Sequence, residues 1–402
     1  MDTITHGIAG ALIGKAVFGG GDLLTERPAT NGPSRERVLT WAAMLGAIFP
    51  DSDAIRHLFS RNEMLVLTWH RGMTHSLLCV PAFALGLAAL TQWFLRRRKW
   101  ECPSFALLTL IYAIALLSHI FLDLATSFGT MIWSPLAWTR PALDLLFILD
   151  FSFSAIVLLP QLLSSVYERP ENAPRRALRW WLLSVLAVLV ISGVSRVADV
   201  AISPLTVLGV TAFLAALFFA PLLRGRGFRV SRAAWCRAGL LLSVAYLGGA
   251  VVAHRAALAR VERFAEVLHL PVQSLAALPA APSVWRWEGL VRTPHGVYEL
   301  RMDLAEREAS AGDATHVLEY RFYPEAPANP QIERVRRMPE VQKVLWFARF
   351  PVTRFHREGS QAVVEIVDLR FRSTRPGHAA PFTYQVRLDR DGRILAQGWA
   401  RE

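Results

Sequence analysis

Residues 105–123 read FALLTLIYAIALLSHIFLD, and this stretch decides how the rest of the chain is interpreted. It is apolar for almost its whole length, close to the roughly 20 residues a helix needs to cross the hydrocarbon core of a bilayer. At its end stand His119 and Asp123, four residues apart and therefore on one face of a helix. An imidazole and a carboxylate at that spacing can grip one ion. Ionisable groups set in or beside apolar segments are costly and usually functional. The same stretch thus indicates a lipid surrounding and a polar centre.

Working outward, apolar runs of similar kind occupy 77–95, 146–166, 180–198, 205–223 and 238–253, and shorter ones occupy 4–20 and 38–50. The expectation is eight helices, with six as the floor. Of 402 residues, 53% are hydrophobic and 19% charged, below the roughly 25% charged of an ordinary soluble domain. The apolar runs stop at residue 253. From residue 284 the pattern alternates with period two, and candidate strands are 297–303, 315–323, 362–372, 382–389 and 393–398, with Asp391-Gly392 as a hairpin signal between the last two. Residues 330–348 read as one amphipathic helix. The predicted architecture is an all-α polytopic membrane domain of 6–8 helices (1–253), a helical connector (254–283) and a small soluble α+β domain (284–402).

The formal net charge of +12 does not indicate nucleic acid, because many of the arginines lie in short loops between apolar runs, where they fix membrane orientation. Arg96, Arg97, Arg98 and Lys99 follow one run; Arg169, Arg175, Arg176 and Arg179 lie between two others; Arg224, Arg226, Arg229, Arg232 and Arg237 lie between two more. Arg27, Arg35 and Arg37 fall on the same side. These are alternate loops, so all can be cytoplasmic together. Trp133 and Trp138 are interface anchors on the other side. The reading is a multi-pass protein of a bacterial inner membrane with an extracytoplasmic C-terminal domain and no cleavable signal peptide. The three cysteines, Cys79, Cys102 and Cys236, make neither a CxxC pair nor a disulfide framework.

On that topology the chemistry-bearing residues gather at one face. His6 opens the first run, and Asp51 and Asp53 follow Pro50 at the end of the second. His70 and His75 precede the third, His119 and Asp123 end the fourth, and Asp144 and Asp150 flank the start of the fifth. Sides were assigned from Arg and Lys alone, so the agreement is independent of the motifs. Carboxylates at a helix C-terminus oppose the macrodipole and call for a cation: a metal, Arg56 or Arg71. Thr74 or Ser76 is expected to cap the following helix. Asp2 reads as a solvated end. His57 has no motif partner, and His254, His269, His295, His316, His356 and His378 read as surface or structural residues. The ligand set expected from residue type is His6, Asp51, Asp53, His70, His75, His119 and Asp123, suited to zinc or manganese, as one to three ions.

The pieces Thr5-His6, Pro50-Asp51-Ser52-Asp53, His70-Arg71-Gly72-Met73-Thr74-His75-Ser76 and Ser118-His119-Ile120-Phe121-Leu122-Asp123, with 126–130 and Asp144 to Asp150, resemble the YdjM-type family of membrane-bound metal-dependent hydrolases over roughly residues 1–165. Phe151 follows Asp150 where that pattern has proline. The family is similar, distantly, to zinc-dependent phospholipase C and P1-type nucleases, and the resemblance implies hydrolysis of a small-molecule or lipid phosphoester by metal-activated water. Asp51, Asp53 or Asp150 would be the general base, and Arg71 would hold the phosphate. The rival expectations are a metal-binding transporter or sensor, and a scaffold whose polar residues only join helices.

Overall fold

The computed structural model describes residues 1–18, 32–56, 60, 64–197, 202–280, 284–306, 319–371 and 380–400. Arg27, His57, His316 and His378 lie outside them. Among the described residues the N-terminal half is helical: α1 (Thr3–Phe18), α2 (Arg35–Ile48), α3 (Val80–Arg97), α4 (Phe105–Leu124), α5 (Phe151–Val166), α6 (Ala173–Val197), α7 (Pro204–Phe219) and α8 (Arg232–Val267). Short polar side chains start several of them. Ser34, Ser104, Ser203 and Ser231 each accept a backbone N–H three residues on, satisfying a donor that the first turn leaves free.

Four described helices are long and apolar enough to cross a membrane, and five if the bent pair Leu65–His75 and Val80–Arg97 counts as one span. Among the described residues there are thus four to five candidate spans, with α1 and α5 as shorter apolar helices beside them, where runs of sequence gave an expectation of six to eight helices. Over the described residues α1 and α5 have 16 residues and α2 has 14, about 21–24 Å of rise.

α1 and α2 pack with their backbones nearly touching. A Cβ on Gly10 would lie 2.5 Å from the Ala43 carbonyl oxygen and 2.6 Å from the Ala47 Cβ. A Cβ on Gly7 would lie 2.8 Å from Ile48 Cδ1, and one on Gly14 would lie 3.0 Å from Thr40 Cα and 3.1 Å from Ala43 Cβ. Small residues at such a seam are how membrane helices approach without a hydrophobic driving force. Here the seam brings His6 and the C-terminal end of α2 together.

α8 is one continuous 36-residue helix that runs from the membrane half into the C-terminal half. There, two antiparallel four-stranded sheets follow in simple order, β1 (Ser274–Pro279), β2 (Arg286–Thr293), β3 (Gly296–Asp303), β4 (Tyr320–Pro324), and β5 (Pro351–Glu358), β6 (Gln361–Asp368), β7 (Thr383–Leu388), β8 (Ile394–Trp399). The sheets share a core in which Ala276, Leu278, Leu290 and Val297 meet Phe350, Val352, Val367 and Leu369. β1, β2 and β5 were not among the expected strands. Of the expected strand 315–323, residues 315–318 lie outside the described residues. The single helix expected over 330–348 is two, α9 (Pro330–Arg336) and α10 (Pro339–Phe347). Pro339 has no N–H to continue the first helix, and Met338 before it is extended.

Candidate metal centre

The link from α2 to α3 builds most of the centre. Pro50 starts a 3-10 turn, Phe49–Ala54, that carries Asp51 and Asp53 past the end of α2. After the single turn Leu65–Thr68, Arg71 adopts a left-handed conformation (φ 59°), uncommon for a side chain with a Cβ. That bend lets the chain double back so that His75, in the 3-10 turn Met73–His75, faces α4. His119 and Asp123 project from the last turns of α4, wholly buried.

Four donor atoms converge: Asp51 Oδ1, His75 Nε2, His119 Nε2 and Asp123 Oδ2. His75 Nε2 lies 3.0 Å from His119 Nε2, 3.1 Å from Asp123 Oδ2 and 3.7 Å from Asp51 Oδ1. His119 Nε2 lies 3.5 Å from each carboxylate oxygen. A tetrahedral zinc ion with ligands at its usual bond lengths would separate them by about 3.3 Å.

Hydrogen bonding tests whether a cation fits. The Nδ1–H of His119 donates to the Ala47 carbonyl at 2.6 Å, which leaves Nε2 as a bare lone pair. Thr74 Oγ1 donates to Asp53 Oδ2 at 3.2 Å and stands 3.0 Å from His75 Nδ1. With its own proton so directed, the hydroxyl accepts from His75 Nδ1–H, and His75 Nε2 is bare too. Asp123 Oδ2 is buried and has no hydrogen-bond partner among the described residues. Two imidazole lone pairs and two carboxylate oxygens thus face one another. Only a proton on one imidazole or a cation among all four relieves that arrangement, and the donor set suits a divalent ion.

The remaining expected ligands stand behind these four. His6 stacks on His119 at 3.7 Å between ring centroids, and its Nε2 lies 3.0 Å from Asp123 Oδ1. Asp53 accepts from His70 Nδ1 (3.0 Å), from the Arg71 backbone N–H (2.9 Å) and from Thr74. Burial pushes the Asp53 carboxyl up, but the His70 hydrogen bond and the Arg71 N–H help to hold it below its ordinary value. Asp51 accepts from the Thr3 hydroxyl at 2.6 Å.

Arg71 is buried and turned inward, with Nη2 2.8 Å from Asp123 Oδ1 and Nη1 2.9 Å from Thr126 Oγ1. The amino group of Met1 contacts the same Asp123 oxygen. Asp150 caps α5 by accepting from the Phe153 N–H at 2.9 Å and also accepts from the Tyr246 hydroxyl at 2.8 Å, and the structure does not bring it into the four-donor group. Asp144 pairs with Arg349 instead. Thr74 bridges Asp53 and His75 instead of capping α3, whose N-cap residue Cys79 makes no side-chain cap bond. Asp2 is not merely a solvated end, since it accepts from the N–H and hydroxyl of Thr5.

Sequence reading missed the Ala47 carbonyl and gave Thr126, within the quoted 126–130, no role. A carbonyl has no side-chain signature; Thr126 had one, being three residues beyond Asp123 in the quoted motif.

Residues 1–198 match the family described as the YdjM inner membrane protein. Among curated proteins, the chain is similar to YfhP of Bacillus subtilis strain 168, itself described as uncharacterized, at 26% identity over 146 residues. That match covers 36% of this chain and 41% of YfhP, so the chain spans less than half the length of that relative. No solved structure matches the chain.

Proposed function

We propose, from the place of residues 1–198 in the YdjM inner membrane protein family and from the four converging donors, that this chain is a membrane-bound metal-dependent hydrolase acting at the outer membrane face on a phosphoester, lipid-like substrates included. The observation that carries the reading is the set Asp51, His75, His119 and Asp123, with two bare imidazole nitrogens 3.0 Å apart. These four residues would hold the ion, zinc in the first instance with manganese as the alternative. A bound divalent ion of this kind lowers the pKa of water to about 7 and polarises a phosphoryl oxygen.

The other residues have their own tasks. The His119 ring is fixed by Ala47 O, and the His75 ring by Thr74 and, through it, Asp53. Arg71 and His6 hold Asp123 from its other oxygen. Asp51 is the least buried of the four donors and His70 is a quarter exposed, so substrate would approach along the edge that they share with Thr3. His70 on that edge can accept a proton, with Asp53 buried behind it and 3.0 Å from its Nδ1. Because Arg71 is turned to Asp123, it supports the ligand rather than grips a phosphate, and the phosphoester class rests on the resemblance to nucleases and phospholipases.

That same inward turn of Arg71 favours a second reading, a metal-binding membrane protein that senses or transports without turnover. Detergent-purified protein decides between them. The hydrolase reading expects about one zinc or manganese per chain by elemental analysis and cleavage of some member of a phosphodiester and phosphomonoester panel, both lost in His75→Ala/His119→Ala. Retained metal with no cleavage across the panel supports the second reading, and metal-free active protein eliminates the first.

A further inference from the structure

The C-terminal half lies against the candidate centre, and its contacts fall on the loops that build it. Arg349, just before β5, makes a bidentate pair with Asp144, both N–O distances 2.9 Å. Asp144 is buried and has a left-handed backbone (φ 53°), a conformation that costs a side-chain-bearing residue energy and persists where surroundings hold it. Arg370, paired with Asp368 at 2.7 Å and buried, donates to the Ser127 carbonyl at 2.9 Å. Asp144 and Ser127 are near the two ends of one loop, which Thr126 and Leu146 close by a parallel bridge.

Between these two anchors Phe128 enters the core of the second sheet and packs against Phe347, Phe371 and Phe382. Its other surroundings belong to the centre. His70 meets its ring at 5.7 Å, and the Arg71 guanidinium lies 5.0 Å from it. In the same loop Arg140 donates to Leu67 O, His70 O and Gly129 O, which ties the loop to the segment that carries His70 and Arg71. A continuous set of packed and hydrogen-bonded groups therefore runs from the C-terminal sheet to the groups that hold Asp53 and Asp123.

We infer that the C-terminal domain is a structural part of the metal centre, and that Arg349 and Arg370 are positioning residues which hold the 126–146 loop, and through it Arg71 and His70, against the ligands. This rests on the metal reading of the site above. Without the clamp, the loop is free to move and Arg71 loses the packing that keeps it on Asp123. Removing a group that bonds a ligand directly, as Arg71 bonds Asp123, costs a metal site about 10–100-fold in affinity, and the clamp acts through that group.

The experiment uses the full chain in detergent or nanodiscs with zinc as the probe. Arg349→Glu is expected to weaken zinc at least tenfold in competition with a chromogenic chelator and to speed amide exchange in 67–75 and 126–146. Arg349→Gln is expected to do the same more mildly, and is the variant to use if reversal prevents folding. The swap Asp144→Arg/Arg349→Glu is expected to recover most of the affinity, which a general loss of stability would not do. Arg387→Glu, which breaks a pair with Glu358 (3.1 Å) within the second sheet, is expected to leave both readouts unchanged. Unaltered zinc affinity or unaltered exchange in the Arg349 variants overturns the inference, as does failure of the swap to recover. A wild-type chain that takes up no zinc removes the metal reading instead, and the exchange comparison then still decides whether the domain orders the loop.

Discussion

Helix α1 carries an ionisable residue near each end, and the two ends have opposite bonding logic. Near its start, His6 leans on His119 and Asp123 in a group whose lone pairs face one another. Near its other end, Lys15 donates to Gln161 Oε1 at 3.0 Å, while Gln161 donates to the carbonyls of Ile8 and Val157. Arg237 donates to the Ala16 carbonyl close by. At the Lys15 end the donors named each meet an acceptor, which is what polar residues do when they join membrane helices. At the His6 end acceptors meet acceptors. Polarity inside an apolar bundle therefore does not mark a site by itself; convergence of unshared lone pairs does.

The largest effect expected is at the His6 end. Replacing His75 and His119 together by alanine removes two of four donors, and elemental analysis should find no bound metal. The comparison breaks if this double variant keeps stoichiometric metal, because the two ends would then differ only in hydrogen-bond detail. A second large effect should follow Gly10→Val, since its Cβ would overlap the Ala43 carbonyl. Forcing α1 from α2 moves His6 and Ala47 O apart, with overpacking of this kind costing about 1–3 kcal/mol. Lower thermal stability and lower metal occupancy should appear together. A fall in stability alone would show that the seam does not position the centre.

How much of this was legible in the sequence differs between the two halves. The membrane character and the motif pieces were readable, because apolar run length and the His119/Asp123 spacing are local properties. The order of the ligands was not. His6, Asp53 and His70 are the same residue types as the four converging donors, and only the bend at Arg71 and the close seam at Gly10 decide which atoms reach the centre. In the C-terminal half, the β1 and β2 strands were missed because Ser274–Pro279 and Arg286–Thr293 show no clean alternation: β1 and β2 face two cores. The Pro339 break was legible and outweighs the apolar periodicity on either side.

A smaller effect is expected at Asp53. Asp53→Asn keeps the shape but weakens the acceptor for His70, Arg71 N–H and Thr74, so the His75 ring is held less firmly. Metal affinity should fall about 10–100-fold without loss of the site, the range seen when an outer-shell partner is removed. A loss as complete as that of the double histidine variant would make Asp53 a direct ligand and would sharpen the boundary of the four-donor group.

The smallest effect on the centre is expected at the opposite end of α1, from Lys15→Met. The substitution keeps most of the side-chain volume and removes the ammonium. It leaves Gln161 Oε1 without its donor in a mostly buried position, and an orphaned buried acceptor costs about 1–3 kcal/mol. Stability should therefore fall while metal content stays that of the wild type. Adding Gln161→Leu removes the orphan as well, and replacing both members of a buried polar pair by apolar groups of similar shape is often nearly neutral. Much of the lost stability should return in Lys15→Met/Gln161→Leu, again with metal content unchanged. No pair of apolar replacements can restore His75 and His119 in that way, because what those residues supply is a lone pair for a cation and not a bond between helices. If Lys15→Met instead depleted the metal, the two ends of α1 would be one functional unit, and the distinction between joining and ligating polarity would fail in this protein.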